Sequence, residues 1–188
     1  MARPRSDDKR AAIISAAVRV IAAEGLGAAT AAIAKEAGVS NGSLFTYFET
    51  KAELLNHLYV ELKTEMAAAA MVGLPATGDI RKQAFHMWTH RLRWAASFPQ
   101  KRRTLVHLGV CDDITPASRA AGHRAMAGVA ALLERCRENG SMRGTPLGFV
   151  VAILNAMTDA TTDFMIQDPA HAEKHRKTGF EALWRMIA

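Results

Sequence analysis

The sequence predicts an all-α protein built in two parts, and three observations support this fold class. Alanine, leucine, methionine and arginine are frequent, whereas the alternating β-branched runs that mark strands are absent. Apolar residues recur at the three- and four-residue spacing of amphipathic helices along most of the chain. A chain of 188 residues that is 49% hydrophobic and 22% charged can bury a substantial core. We therefore expect neither intrinsic disorder nor a fibrous repeat.

Four helices are predicted in the N-terminal part, each with a recognisable start or end. Acidic residues suit a first helical turn, Ser and Thr suit the position before a helix, and Gly suits the position after one. Thr50-Lys51-Ala52-Glu53 is a capping-box pattern that opens a longer helix. The predicted starts are Asp7-Asp8, Thr30, Ser40 and Thr50, and the first three helices are predicted to end at Gly25, Gly38 and Glu49.

The C-terminal part follows a break at Gly73-Leu74-Pro75-Ala76-Thr77-Gly78, which is the clearest candidate boundary between the two parts. Proline favours the first turn of a helix, and it opens three of the later segments, at Pro116, Pro146 and Pro169. The predicted helices cover about 79–97, 100–110, 116–139, 146–167 and 169–188.

Composition narrows the class of protein. The net charge is +6, but the surplus lies mainly within residues 61–110. Nucleic-acid binding must therefore be argued from a motif rather than from bulk charge. Cys111 and Cys136 form no CxxC pair, which predicts reduced thiols in a cytoplasm and no cysteine metal site. The longest uncharged apolar run, Met66 to Leu74, has nine residues and is too short to cross a bilayer, so no membrane partner is expected.

The segment from Thr30 to Leu55 predicts a helix-turn-helix. Two short helices joined at Gly38-Val39-Ser40 form this motif, whose second helix can read base edges in a DNA major groove from its N-terminal end. Leu44 and Phe48, large apolar residues at helical spacing, are predicted to lie in the core. The residues predicted to face bases are Asn41, Ser43, Phe45 and Thr46, and those predicted to hold phosphates are Tyr47 and Lys51.

The same segment resembles the signature of the TetR (tetracycline repressor) family. The matching residues are Thr30-x-x-Ile33-Ala34-x-x-Ala37-Gly38-Val39-Ser40-x-Gly42-Ser43-Leu44-Phe45-x-Tyr47-Phe48-x-x-Lys51-x-x-Leu54-Leu55. The match covers about 26 consecutive residues with many identities at fixed spacing. In the rest of the chain the resemblance is one of helical architecture only.

The resemblance implies a homodimeric transcription regulator, most directly a repressor that a small-molecule effector releases from a palindromic DNA operator. Residues 1–52 would form the helix-turn-helix DNA-binding domain, and residues 53–188 the ligand-binding and dimerisation domain. The resemblance further implies that Thr30 contacts a phosphate. The chain departs from the pattern at Ala31, where some members place a base-reading arginine, and at Phe45, where tyrosine is common.

The N-terminal arm of the chain is basic, and two interpretations of its role are possible. The arm can reach phosphate or an adjacent minor groove, or it can be a solvated tail. Its basic residues are Arg3, Arg5, Lys9 and Arg10.

The segment from Phe85 to Trp94 contains the predicted ligand site. It is dense in aromatic, Met and His side chains, and ligand pockets are mostly apolar with a few polar anchors. A tryptophan there can stack on a ring of the effector, while a histidine or arginine can bind an acidic group. The predicted lining residues are Met87, Trp88, His90, Arg91 and Trp94. The alternative is that the aromatic residues belong to the core and the arginines are solvated.

Two histidine pairs have the four-residue spacing that places two imidazoles on one helical face, His86 with His90 and His171 with His175. Two ligands are too few for a metal, and no third ligand is legible. We therefore predict no metal and no cofactor. The aspartates at 159 and 163 have the same spacing and are read as a polar stripe on an interface helix.

The last two predicted helices carry apolar faces that suggest association into a four-helix bundle of two subunits, as the resemblance implies. Packing within one chain is the alternative use of the same faces. The predicted interface residues are Phe149, Ile153, Met157 and Phe164 in one helix and Phe180, Leu183, Trp184 and Ile187 in the other.

Two functions from other classes compete with the regulator. One is a small helical enzyme with a purely structural helix-turn-helix, and the other is a protein-interaction module. No Ser/His/Asp order, phosphate-binding loop or GxGxxG motif supports an enzyme, so we predict that the chain is not one.

Overall fold

The computed structural model of the chain describes the backbone of residues 3–188 and the side chains of residues 7–188. Within that range the chain forms ten α-helices and one short 3-10 turn, with no strand, which confirms the predicted all-α fold class. The helices are α1 (Arg3–Glu24), α2 (Thr30–Glu36), α3 (Asn41–Tyr47), α4 (Lys51–Met71), α5 (Ile80–Ser97), α6 (Pro99–Gly109), α7 (Pro116–Ala125), α8 (Ala127–Arg137), α9 (Leu147–Gln167) and α10 (Ala172–Ile187). The 3-10 turn, Pro169–His171, lies between α9 and α10.

The helix boundaries differ from the prediction in three places. The first helix begins at Arg3, so the acidic pair at positions 7 and 8 lies in its second turn. Ala29 is the extended residue before α2, and Thr30 is the first helical residue rather than the cap. The segment 116–139 contains two helices because Met126, at φ −86° and ψ 4°, leaves the helical region between α7 and α8.

The chain forms two compact units that no single cut in the sequence separates. The first unit runs to Lys63 and also includes Pro99–His123, and the second comprises Thr64–Phe98 and Arg124–Ala188. Both α4 and α7 therefore contribute residues to each unit. The functional division at residue 52 stays a prediction.

The first unit is built around α1, which packs against α2 and α6, while α2 packs against α3. The Thr104 hydroxyl of α6 donates a hydrogen bond to the Val18 carbonyl of α1, at 2.9 Å. Leu44 and Phe48 are 0% and 1% exposed, which confirms their predicted place in the core. The other fully buried side chains of this unit include Ile13, Ile21, Ile33, Leu54, Leu55, Leu58 and Leu62.

The connection between α2 and α3 sets the position of α3. Gly38 adopts φ +69°, a left-handed conformation that glycine takes without a steric penalty. Ser40 is extended, and its hydroxyl accepts a hydrogen bond from the N–H of Ser43 at 3.0 Å. The predicted cap of the third helix is thus confirmed, and α3 begins at a defined residue and angle.

Replacing Ser40 by alanine is expected to lower the free energy of unfolding by about 1 kcal/mol, because the Ser43 N–H loses its acceptor. Chemical denaturation followed by circular dichroism measures the change. Ser15→Ala is the matched control, since Ser15 is exposed inside α1 and alanine favours a helix interior. Equal losses in both variants would contradict a specific capping effect.

The second unit is built around α5, which packs against α8, α9 and α10. Trp88 is fully buried at its centre, and its indole N–H donates to the carbonyl of Arg176 at 2.9 Å. Gly179 lets α10 approach closely, because a Cβ there would lie 2.9 Å from the Trp88 ring and 2.5 Å from the Thr161 hydroxyl. The core around Trp88 also contains Leu92, Val150, Leu154, Phe180, Leu183 and Ile187.

One helix of the described chain, α9, is long and apolar enough to cross a membrane by length and composition alone. Its most apolar window has a mean hydropathy of 1.3, and only 22% of that window is buried within the protein. The helix also carries the polar residues Asn155, Asp159 and Asp163. Most of the apolar window of α9 is therefore not covered by the protomer itself.

Candidate nucleic-acid interface and ligand site

The outward face of α3 carries no charge and is polar apart from one phenylalanine. Asn41, Gly42 and Thr46 are exposed on it, and Phe45 is 38% exposed beside them. Ser43 and Tyr47 lie at its borders and are half-buried, because the opposite side of the helix packs into the core. Five of the six base- and phosphate-facing residues predicted in and after α3 thus share one face of the helix, or its edge, with no charged side chain within α3 to repel or compete with base edges.

The residues predicted to contact phosphate differ in their exposure and in their hydrogen bonds. The Lys51 ammonium donates to the carbonyl of Leu26 at 2.6 Å, so it joins the start of α4 to the connection between α1 and α2. Its remaining N–H groups are available to a phosphate, and that contact stays a prediction. Thr30 and Tyr47 are half-buried, and their contact with DNA stays a prediction.

Of the basic residues in the arm, Arg10 is engaged within the protein rather than solvated. The guanidinium of Arg10 lies 5.1 Å from the ring centroid of Phe48 and within 3.2 Å of both ring nitrogens of His57. His57 in turn contacts the Glu61 carboxylate at 3.0 Å. Arg10 therefore braces α1 against α4 inside the first unit. Lys9 is exposed, and the side chains of Arg3 and Arg5 lie outside the described residues.

The predicted ligand residues all lie in α5, and four of the five are buried, on two neighbouring faces of the helix. Trp88 faces the core and makes its only polar contact with the Arg176 carbonyl, as the core alternative proposed. Met87, Arg91 and Trp94 are 1%, 5% and 5% exposed and occupy the neighbouring face of the helix. The Trp94 indole N–H donates to Glu65 at 3.0 Å.

The fifth predicted ligand residue, His90, is half-buried, and its imidazole stacks on that of His86 at a centroid distance of 4.2 Å. Burial, the neighbouring His86 and Arg93 all lower the pKa of His90 below its usual value. The imidazole is therefore neutral at pH 7 and is a poor anchor for an anion.

Arg91 is the polar group of this face that the structure leaves least satisfied. Its Nη2 donates to the Oδ1 of Asn155 in α9 at 2.5 Å, whereas its Nε and Nη1 have no hydrogen-bond acceptor. Burial lowers the pKa of Arg91 to about 10, and the Asp159 carboxylate opposes that shift. Sequence reasoning found Arg91 but missed Asn155, because the register of α9 against α5 leaves no mark in either segment.

His86, His171 and His175, three of the four paired histidines, make hydrogen bonds within the second unit. His86 bonds the carbonyl of Val72 at 2.8 Å. His171 and His175 both bond the carboxylate of Asp168 at 2.9 Å, and these bonds hold the pKa of Asp168 below its usual value. In the part of the chain that the structure describes, no group of three His, Cys, Asp or Glu residues is arranged to hold a metal ion.

The predicted interface residues fall into three classes of exposure. Phe180, Leu183 and Ile187 are 3%, 2% and 1% exposed, because the narrow apolar face of α10 packs on its own unit. They have no surface to offer a second subunit, and the alternative of packing within one chain applies to them. Ile153, Met157 and Trp184 are half-buried, while Phe149 and Phe164 are 57% and 58% exposed.

Comparison with known proteins agrees with this arrangement. The family model described as bacterial regulatory proteins of the tetR family matches residues 13–58. A protein of Shewanella sp. PV-4, described as a TetR family transcription regulator, has a structure with TM-score 0.82 and 26% identity, covering 94% of this chain and 96% of its own.

Two further solved structures share the fold at lower sequence identity. The TetR family transcription regulator from Marinobacter aquaeolei VT8 has TM-score 0.82 and 22% identity, covering 97% of this chain and 96% of its own. The TetR-like regulator LfrR from Mycobacterium smegmatis, in complex with proflavine, has TM-score 0.69 and 19% identity, covering 96% and 98%.

The matched residues 13–58 contain the helices that form the candidate DNA-binding surface. They include α2, the capped turn at Ser40, the exposed face of α3 and the start of α4. The similar structures, which cover nearly the whole chain, are described as transcription regulators and not as enzymes. Residues 13–58 are a helix-turn-helix domain of the tetR family of bacterial regulatory proteins, and the chain as a whole has the fold of TetR family transcription regulators.

Proposed function

We propose that this regulator is a homodimeric repressor that binds a palindromic operator through α3 and is released from it by a small-molecule effector. The observation that carries the proposal is the uncharged polar face of α3, which the Ser40 cap and the buried Leu44 hold outward. Such a face suits the major groove, where each base pair presents its own pattern of donors and acceptors. Asn41 and Thr46 supply hydrogen-bonding groups, and Phe45 supplies apolar contact for a thymine methyl.

Homodimerisation would explain why α9 exposes an apolar surface. Phe149, Ile153, Ala156, Ala160 and Phe164 recur at helical spacing along its outward side, which we call the α9 stripe. Alanines at its centre permit a second helix to approach closely, and the two phenylalanines at its ends supply apolar area. A symmetric dimer built on the α9 stripe would cover this surface. The same contact accounts for the hydropathy of α9 without a membrane, and the protein would act in the cytoplasm, where operator DNA lies.

Release by an effector follows from linkage between two sites. Two copies of α3 must lie one DNA turn apart, about 34–36 Å, to enter successive major grooves. An effector bound to the second unit would favour a conformation with another spacing, and α4, which contributes to both units, would transmit the change. Effector and operator then weaken each other's binding reciprocally. A near-complete switch needs about a 10⁴-fold preference of the effector for the DNA-incompetent state.

The expected result on DNA is that Asn41→Ala and Phe45→Ala each weaken specific operator binding about tenfold or more, because each removes a base contact. Fluorescence anisotropy on fragments from upstream of the chain's own coding region, with excess unrelated DNA, measures the affinity. The salt dependence should stay unchanged, since neither residue contacts a phosphate.

Asn139→Ala is the matched control, because Asn139 is exposed in the second unit. It should bind the operator as the unaltered protein does. Unchanged specific binding in both α3 variants would overturn the assignment of α3 as the reading helix. A genome-wide selection that returned no bound fragment would overturn the regulator mechanism altogether.

A further inference from the structure

The guanidinium of Arg91 differs from the other well-buried arginines of the second unit. Arg137 is 8% exposed, and its nitrogens bond the Glu134 carboxylate and backbone carbonyls that include that of Met142. The side chain of Arg176, 17% exposed, bonds Glu173 and the hydroxyl of Thr89. Arg91, at 5% exposure, bonds one amide oxygen only.

A buried cation with unused donors is costly for a fold. Removing an ion from water carries a large desolvation penalty, which hydrogen bonds and an opposite charge must offset. Asp159, one turn after Asn155 in α9, favours the charged form of Arg91, but the Nε and Nη1 of Arg91 have no hydrogen-bond acceptor. Its neighbours on this face of α5 are the apolar Met87 and the ring of Trp94, both buried.

The unused donors have the geometry that an anion needs. The guanidinium is planar, and Nη2 forms one two-pronged fork with Nε and another with Nη1. Asn155 accepts only one N–H of Nη2, so one complete fork stays available. A fork of two parallel N–H groups matches the two oxygens of a carboxylate.

We propose that Arg91, with Asn155 beside it, is the anchor for a carboxylate on the effector, and that the effector is a monoanion with an apolar or aromatic body. This proposal rests on the proposed effector-responsive function. One arginine neutralises one negative charge, and a phosphate dianion would place a second charge close to Asp159. Met87 and Trp94, one turn to either side of Arg91, are suited to contact the apolar body. Because Arg91 is closed off from solvent, the effector must bind a more open state, which is what a population switch requires.

The test uses the full-length protein and four named probes. Benzoate and octanoate are the carboxylates, benzamide is their neutral counterpart, and phenyl phosphate carries the alternative anion. Tryptophan fluorescence and the thermal shift report binding, and release of a labelled operator fragment reports function. We expect the better carboxylate to bind at least tenfold more tightly than benzamide and phenyl phosphate, and to weaken operator binding.

Two variants separate an anchor from a structural arginine. Arg91→Gln should weaken carboxylate binding at least tenfold. Arg91→Met removes the buried charge, so the Tm of the probe-free protein should stay the same or rise. Arg135→Gln, an exposed arginine of α8, is the matched control and should bind the probes normally.

Four results would overturn the carboxylate assignment: benzamide binding as tightly as benzoate, phenyl phosphate binding more tightly, no carboxylate binding at millimolar concentration, or a clear fall in Tm in Arg91→Met. Each of these leaves the DNA-binding proposal standing as long as the unaltered protein binds its operator. Loss of operator binding in the unaltered protein would instead overturn the proposed function itself.

Discussion

Replacing Phe48 by alanine is expected to lower the free energy of unfolding of the first unit by about 3–5 kcal/mol. The ring is 1% exposed and contacts the His57 ring, at a centroid distance of 5.8 Å, so its removal leaves a cavity where α3 ends. The Arg10 guanidinium also loses the aromatic face that it covers at 5.1 Å. Because a folded domain is stable by only about 5–15 kcal/mol, this loss is a large fraction of the total.

Phe45→Ala is the control for that prediction, since it makes the same truncation three residues away. Phe45 is 38% exposed on the outward face of α3, so its removal should change the free energy of unfolding by less than about 0.5 kcal/mol. Urea denaturation and hydrogen exchange of α3 amides measure both variants. Phe48→Ala should therefore lower both stability and DNA binding, whereas Phe45→Ala should lower DNA binding alone. Similar destabilisation by both would contradict the division of α3 into a core face and a reading face.

The local features of this fold could be predicted from the sequence, because their causes are local. Ser40 caps α3, and a serine before a short apolar pattern signals such a cap. The break at Met126 was missed, since no proline or glycine stands at that position. The inclusion of α6 in the first unit was also beyond sequence reasoning, because it depends on packing against α1 across about eighty residues of chain.

In the candidate sites too, the sequence predicts the features that have local causes and not the contacts between distant segments. The reading face of α3 follows from the spacing of Leu44 and Phe48, which fixes which side of the helix is buried. The engagement of Lys51 by the Leu26 carbonyl could not be foreseen, because a loop carbonyl has no signature in the sequence. The contact between Arg91 and Asn155 depends on how two distant helices are aligned, and only their packing determines it.

The second large effect concerns the α9 stripe. The substitution Ala156→Glu should weaken dimerisation at least a hundredfold, or by about 3 kcal/mol. Ala156 is exposed at the centre of the stripe, between Phe149 and Phe164. In a symmetric dimer the substitution occurs twice and brings two carboxylates into one apolar contact, where neither has a cation to pair with in the stripe. Sedimentation equilibrium measures the dissociation constant.

Ala131→Glu, at an exposed position of α8, makes the same change away from the stripe and should leave both dimerisation and the thermal stability unaltered. A monomeric Ala156→Glu variant should retain its helical content, because the substitution buries nothing within the protomer. Its affinity for a palindromic operator should fall as well, since each protomer then binds a half-site alone. A variant that stayed dimeric would show that another surface holds the subunits together and would leave the exposed Phe149 and Phe164 to a different partner. The oligomeric state of this one variant therefore decides whether the apolar surface of α9 exists for a second copy of the chain.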